Sequence, residues 1–120
     1  MTIGAAHYRR RQAALPDIPA GPESEAELRA EIANALRRMG WHVVDTSQDR
    51  PARGGLCGFP DLIAFRIGRT LLIETKHGKE KLNAGQQVFA ARVATHLDPR
   101  SLLYCVARSL DDVRATLGLS

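Results

Sequence analysis

The chain has 120 residues and a mass of 13.1 kDa, with 44% hydrophobic and 25% charged residues; that is enough for one hydrophobic core, too little for two, and excludes a chain disordered throughout. No apolar run approaches the roughly 20 residues that a bilayer span needs, and Tyr8-Arg9-Arg10-Arg11 is not followed by an apolar stretch of the secretory kind, so a cytoplasmic protein is expected. A formal charge of +4 and a pI near 9.6 fit a nucleic-acid partner and a solvated basic surface equally well; the basic residues gather around 9–11, 37–38, 50–53, 66–69 and 76–81.

Residues 1–22 join the first of these clusters to Pro16, Pro19, Gly21 and Pro22 without any sustained period, which reads as a flexible arm ahead of a domain spanning 23–120. From Ser24 to Met39, Leu28, Ile32, Leu36 and Met39 recur at helical spacing, with Ser24 as N-cap and Gly40 as the stop. Trp41–Thr46 alternates as a strand does, so Trp41 and His42 read as strand residues, and a long glycine- and proline-bearing loop follows. Cys57, in that loop, and Cys105 lie near no histidine at zinc-finger spacing, and reduced thiols are expected of both.

Asp61–Ile67 and Thr70–Lys76 are two apolar, β-branched runs joined by Gly68-Arg69, a pair suited to a type II′ hairpin turn. Asn83 can cap a second helix carrying Val88, Phe89, Val93 and Leu97, Ser101–Ala107 reads as a buried strand, and Ser109 can cap a closing helix over Leu110–Leu117. The order is α-β-β-β-α-β-α, an α/β fold with a central sheet flanked by helices.

The hairpin carries a geometric consequence. With Gly68 and Arg69 in the loop, Ile63 would face Glu74 and Asp61 would face Lys76, so Asp61 and Glu74 would be diagonal neighbours roughly 7–8 Å apart, close enough to share a cation. Charges placed beside Leu62, Ile63, Phe65, Leu71, Leu72 and Ile73 form either a site or a salt bridge at a solvated strand end.

Gly58-Phe59-Pro60-Asp61-Leu62 followed by Glu74-Thr75-Lys76 resembles the PD-(D/E)xK nuclease signature. The surroundings, from roughly Glu23 to Leu117, resemble the VRR-NUC branch of that superfamily: an acidic helix start before a Gly-Trp strand, a glycine hairpin, and a helix opening Leu82-x-x-x-Gln86. The resemblance implies a restriction-endonuclease-like core with a mixed sheet, and a metal-dependent endonuclease in which Asp61, Glu74 and the Thr75 carbonyl bind magnesium, with manganese as a substitute. Lys76 would orient the attacking water or stabilise charge growing on the phosphate.

It also implies a glutamate on the first helix. Glu23, Glu25, Glu27 and Glu31 compete; helical phase favours Glu25, at the edge of the buried face, with Glu27 second and a surface pair with Arg29 as the bland alternative. Gln86 matches the second-helix glutamine, with Gln87 as the wrong-register alternative, although Asn83-Ala84-Gly85 departs from the usual serine, proline and acidic residue. Arg50, Arg53, Lys79 and Lys81 would track a DNA backbone, while His77 reads as a bystander. By analogy the substrate is branched DNA, such as a four-way junction or a flap, cut by a homodimer. A nicking or restriction-type nuclease, and a catalytically silent nucleic-acid-binding module, remain the other readings.

Overall fold

The Ser24 side chain accepts the backbone N–H of Glu27 at 3.1 Å and opens helix α1, Glu25–Arg38. The computed structural model describes residues 21–47 and 58–119; the arm expected over 1–22, save its last two residues, and Arg50, Arg53 and Cys57 lie outside that range. Leu28, Ile32 and Leu36, one turn apart, have no exposed surface, so α1 presents a single apolar stripe to the sheet. Arg37 and Arg38 end the helix, where positive charge suits the dipole, and Gly40 at φ 94° turns the chain into the first strand.

The sheet has four strands in the order β1 (His42–Asp45), β2 (Leu62–Arg66), β3 (Arg69–Thr75) and β4 (Leu102–Ala107). The pairs β1–β2 and β2–β3 are antiparallel, while β3–β4 is parallel and needs a crossover, which α2 (Ala84–Ala94) provides. Helix α3 (Leu110–Thr116), capped by Ser109, closes the described chain. The protein is therefore α/β, with a mixed sheet flanked by helices, and the elements follow the expected order with ends shifted by a residue or two, except at the end of α2. No helix among the described residues is long and apolar enough to cross a membrane.

The register corrects one expectation. Arg66 pairs with Arg69 and Leu62 with Ile73, so the two loop residues are Ile67 and Gly68, not Gly68 and Arg69. Gly68 takes φ 73° at the second loop position and no described non-glycine residue has positive φ, which fits a type II turn and excludes type II′. The change is a slide of two residues. Such a slide leaves each side chain on the face it would have occupied anyway, so hydrophobic alternation carries no information about it.

On one face Leu62, Ala64, Leu71 and Ile73 join Val43, Cys105 and Ala107 against Leu28, Ile32, Leu36 and Val113 to form the core. Cys105 is a buried free thiol, and burial pushes its pKa up. On the other face α2 approaches β4 through Phe89 and Tyr104, ring centroids 6.1 Å apart, and leaves Val44 and Phe65 partly exposed. The apolar positions expected along the second helix do not make a buried stripe. Val88 and Leu97 are exposed, the helix ends before Leu97, and its one buried side chain is Gln86.

Candidate active site

The start of β2 and the end of β3, the two inner strands, meet at the end of the sheet opposite the hairpin. Extending the observed register past Leu62 and Ile73 sets Asp61 directly across from Glu74, in place of the expected diagonal. Thr46, just beyond β1, anchors this start: its N–H donates to the Asp61 carbonyl at 2.8 Å and its hydroxyl to the Pro60 carbonyl. The Asp61 carboxylate reaches β3, where Oδ2 accepts the Thr75 N–H at 3.0 Å and the Thr75 hydroxyl at 2.7 Å. Beyond the strand, the Lys76 N–H donates to the Ala107 carbonyl at 3.0 Å and carries the β3–β4 ladder past the acids.

Glu74 is held from α2. Its Oε2 accepts the Gln86 side-chain N–H at 2.8 Å, while Gln86 Oε1 accepts the Asn83 N–H at 2.9 Å and Asn83 Oδ1 accepts the Gln86 N–H at 2.8 Å. The reciprocal cap uses one end of the Gln86 amide and Glu74 the other, so the amide has one orientation that satisfies both. This settles the helix start at Ala84 and distinguishes Gln86 from Gln87, whose side chain donates to the Leu82 carbonyl in an exposed position. Asp61, Glu74, Lys76 and Gln86 are exposed by only 5%, 1%, 7% and 6%.

The residues leading into β2 are locked to α2 by a backbone contact. Gly58, at φ 83°, lies so close to Gly85 that a Cβ there would overlap the Gly85 carbonyl and come within 2.9 Å of the Gln86 nitrogen. Only glycine suits that position on both counts. Phe59 then meets the edge of Phe89 with centroids 5.6 Å apart.

Glu25, on the first turn of α1, completes the electrostatic neighbourhood. Burial raises its pKa, and so do a hydrogen bond with the Glu80 carboxyl and the negative charges of Asp61 and Glu80; Lys76 pulls the other way. Glu27 is turned to a different task, its Oε1 accepting the Glu23 N–H at 2.8 Å at the helix start. Tyr104 is pushed up to about 12, first by burial and then by the charges of Glu74, Cys105 and Asp61.

The structure thus brings Glu25, Asp61, Glu74, Thr75, Lys76 and Gln86 to one end of the sheet. Lys79 and Lys81 are exposed in the segment after β3, and the His77 ring bonds the Pro22 carbonyl at 3.1 Å, tying the start of α1 to the end of β3. Three contributors were not singled out from sequence: the Thr75 hydroxyl, Glu80, and the Gly58–Gly85 approach. Glu80 sits in a charged stretch that resembles any solvated loop. The glycine contact joins positions far apart in the chain and leaves no local signal.

Among the described residues no group of three or more His, Cys, Asp or Glu side chains is placed to hold a metal ion. A cation here would therefore rest on two carboxylates, a main-chain carbonyl and water. No family model matches the chain, and no curated protein matches it.

Proposed function

We propose that the chain is a magnesium-dependent endonuclease of the VRR-NUC branch, with a restriction-endonuclease-like core, that hydrolyses phosphodiester bonds in branched DNA. The observation that carries this reading is the burial of Asp61, Glu74 and Lys76 together at the ends of two inner strands, with Asp61 oriented by Thr75 and Glu74 by Gln86. Burying such charges costs several kcal/mol. The core on the other face of the sheet gains nothing from them, which supports a functional role. The fold supports the same reading: a helix, an antiparallel three-strand run, a crossover helix and a parallel fourth strand.

The Asp61 and Glu74 carboxylates and the Thr75 carbonyl form a hard oxygen donor set that suits magnesium or manganese. When bound, such an ion would neutralise charge on the scissile phosphate and favour ionisation of the attacking water. Thr75 and Gln86 keep the two carboxylates in place without rotamer search. Lys76 stabilises charge building on the phosphate, and its low exposure strengthens that interaction. Glu25, its pKa raised, is suited to take up a proton near the acids. Lys79 and Lys81, with Arg50 and Arg53 from the sequence before β2, would supply backbone contacts, and a homodimer would offer two sites to a four-way junction.

The test is a panel of flap, fork and junction oligonucleotides and a supercoiled plasmid, incubated with and without magnesium. Wild type should cut with magnesium alone, and Asp61→Ala should lose cutting while retaining binding. Calorimetric titration with magnesium or manganese should give heat for wild type and none for Glu74→Gln. That no three acidic groups among the described residues are placed to hold one metal ion favours one competing reading, a silent nucleic-acid-binding module. DNA binding with neither cleavage nor metal uptake would establish that reading and overturn the nuclease.

A further inference from the structure

The opposite end of the sheet carries a concentration of arginine that the nuclease reading does not use. Arg66 and Arg69 face one another across the hairpin, an arrangement of like charges that works against pairing. Both lie on the core side of the sheet, beyond the end of α1. The Arg66 guanidinium packs over Gly40, 3.7 Å from where a Cβ would stand, and Arg69 Cζ lies 6.0 Å from the centre of the Trp41 ring. Arg37 and Arg38 end α1 beside them, and Arg100 precedes β4.

None of these five arginines forms an ion pair with a described carboxylate. Arg37 donates to the Val43 carbonyl and Arg69 to the Pro99 carbonyl, both through Nη2, and Arg69 Nε is buried without a partner. Asp98, two residues before Arg100, is engaged with the Arg100 N–H at 2.9 Å. Glu25, Asp61, Glu74 and Glu80 all lie at the other end. The helix dipole accounts for Arg37 and Arg38 but not for Arg66, Arg69 or Arg100. At the tip stands Ile67, 98% exposed, the most exposed large apolar side chain among the described residues.

We infer that this hairpin end is a second nucleic-acid contact surface, in which the arginines hold backbone phosphates and Ile67 wedges against a base step. Arginine beside an exposed apolar side chain is the pairing used by proteins that enter the minor groove and unstack a step. The seven residues of β3 separate this end from the candidate site by roughly 20 Å. A nucleic acid touching both is gripped on two arms of a branch, or at points about six base pairs apart on one duplex. The identity of the ligand rests on the proposed function, but the binding measurement does not require cleavage.

The experiment measures binding of a fluorescent four-way junction and a linear duplex in chelator across a salt series. Arg66→Glu with Arg100→Glu should weaken binding at least tenfold and make the salt dependence shallower by about two units, at about 0.9 per lost phosphate contact. Arg66→Lys with Arg100→Lys should keep most of both. Ile67→Ser should weaken binding several-fold with the salt dependence unchanged, since the contact is apolar. Equal affinity and salt dependence in the glutamate pair and wild type would overturn the inference. If the glutamate pair does not fold, Arg66→Gln with Arg100→Gln carries the same test with a smaller loss. Failure of wild type to cut DNA in magnesium would sink the nuclease reading alone and leave this result standing.

Discussion

On one face of the sheet, Leu28, Ile32 and Leu36 of α1 and Val113 of α3 have no exposed surface; on the other, α2 buries only Gln86 and leaves Val88 half in solvent. The first face is held by apolar area, which is non-directional and forgiving of small shifts. The second is held by a carboxylate–amide hydrogen bond, a glycine–glycine backbone contact and three aromatic rings in a chain. Those contacts fix position more than they add stability. The difference teaches that the protein places its apolar fold energy on one side and its directional contacts on the other, where Asp61 and Glu74 are held.

The largest expected effect breaks the first face. Leu36→Ala removes a fully buried side chain packed in the core and should cost about 2–5 kcal/mol. Urea denaturation would read this as a lower midpoint with unchanged slope, and activity should fall only in proportion to the unfolded fraction. Loss of activity in a fully folded Leu36→Ala would show that the two faces are not separable.

Next comes Gly58→Ala, which places a Cβ against the Gly85 carbonyl at a positive φ. The left-handed conformation alone costs about 1–2 kcal/mol, and the overlap adds to it. Relief should come by displacement of α2, so amide exchange should quicken in α2 while α1 stays protected. On the proposed nuclease reading, cleavage should fall at least tenfold as Gln86 leaves Glu74. Equal loss of protection in both helices would contradict the comparison. Gln86→Ala acts on the same contact more gently: it removes one donor from a buried carboxylate, at about 1–3 kcal/mol. A larger loss in kcat than in substrate affinity would mark Gln86 as a positioning residue.

These two faces also differ in how far they could be read from sequence. The stripe Leu28, Ile32, Leu36 announces α1 because burial imposes a period on an amphipathic helix. Asp61, Glu74 and Lys76 were legible because charge interrupts apolar strands at their ends. The hairpin register was not, since a two-residue slide preserves every face, and only the position of the positive-φ glycine distinguishes the two arrangements. The second helix misled for the converse reason. Val88, Phe89, Val93 and Leu97 suggest a buried face, but α2 is placed by Gln86 and Gly85, and neither a buried glutamine nor a glycine contact has a period. Glu80 joined the site through its spatial approach to Glu25, which a loop sequence does not encode locally.

The smallest effect sharpens the comparison by pH, in protein free of divalent cations. Asp45, at the rim of the first face, is pushed up by burial, but hydrogen bonds from the Ser47 hydroxyl and N–H and the charge of Arg29, 3.3 Å away, outweigh this and hold it below its ordinary 3.8. A depressed carboxylate contributes stability above its unfolded value and loses it as pH falls through the folded one. Asp45→Asn should therefore be less stable than wild type at pH 6, and the gap should close below pH 3.8. Glu25 has the opposite sign. Burial and the surrounding acids raise it above 4.5, so the stability it contributes is present below 4.5 and lost as pH rises through the raised value. Glu25→Gln should be more stable than wild type at pH 7, with the gain shrinking toward pH 4.5 and cleavage reduced throughout. A rim carboxylate that stabilises and a candidate-site carboxylate that destabilises at the same neutral pH is what the proposed separation of a structural end from a functional one predicts. Matching signs in the two variants would contradict that separation.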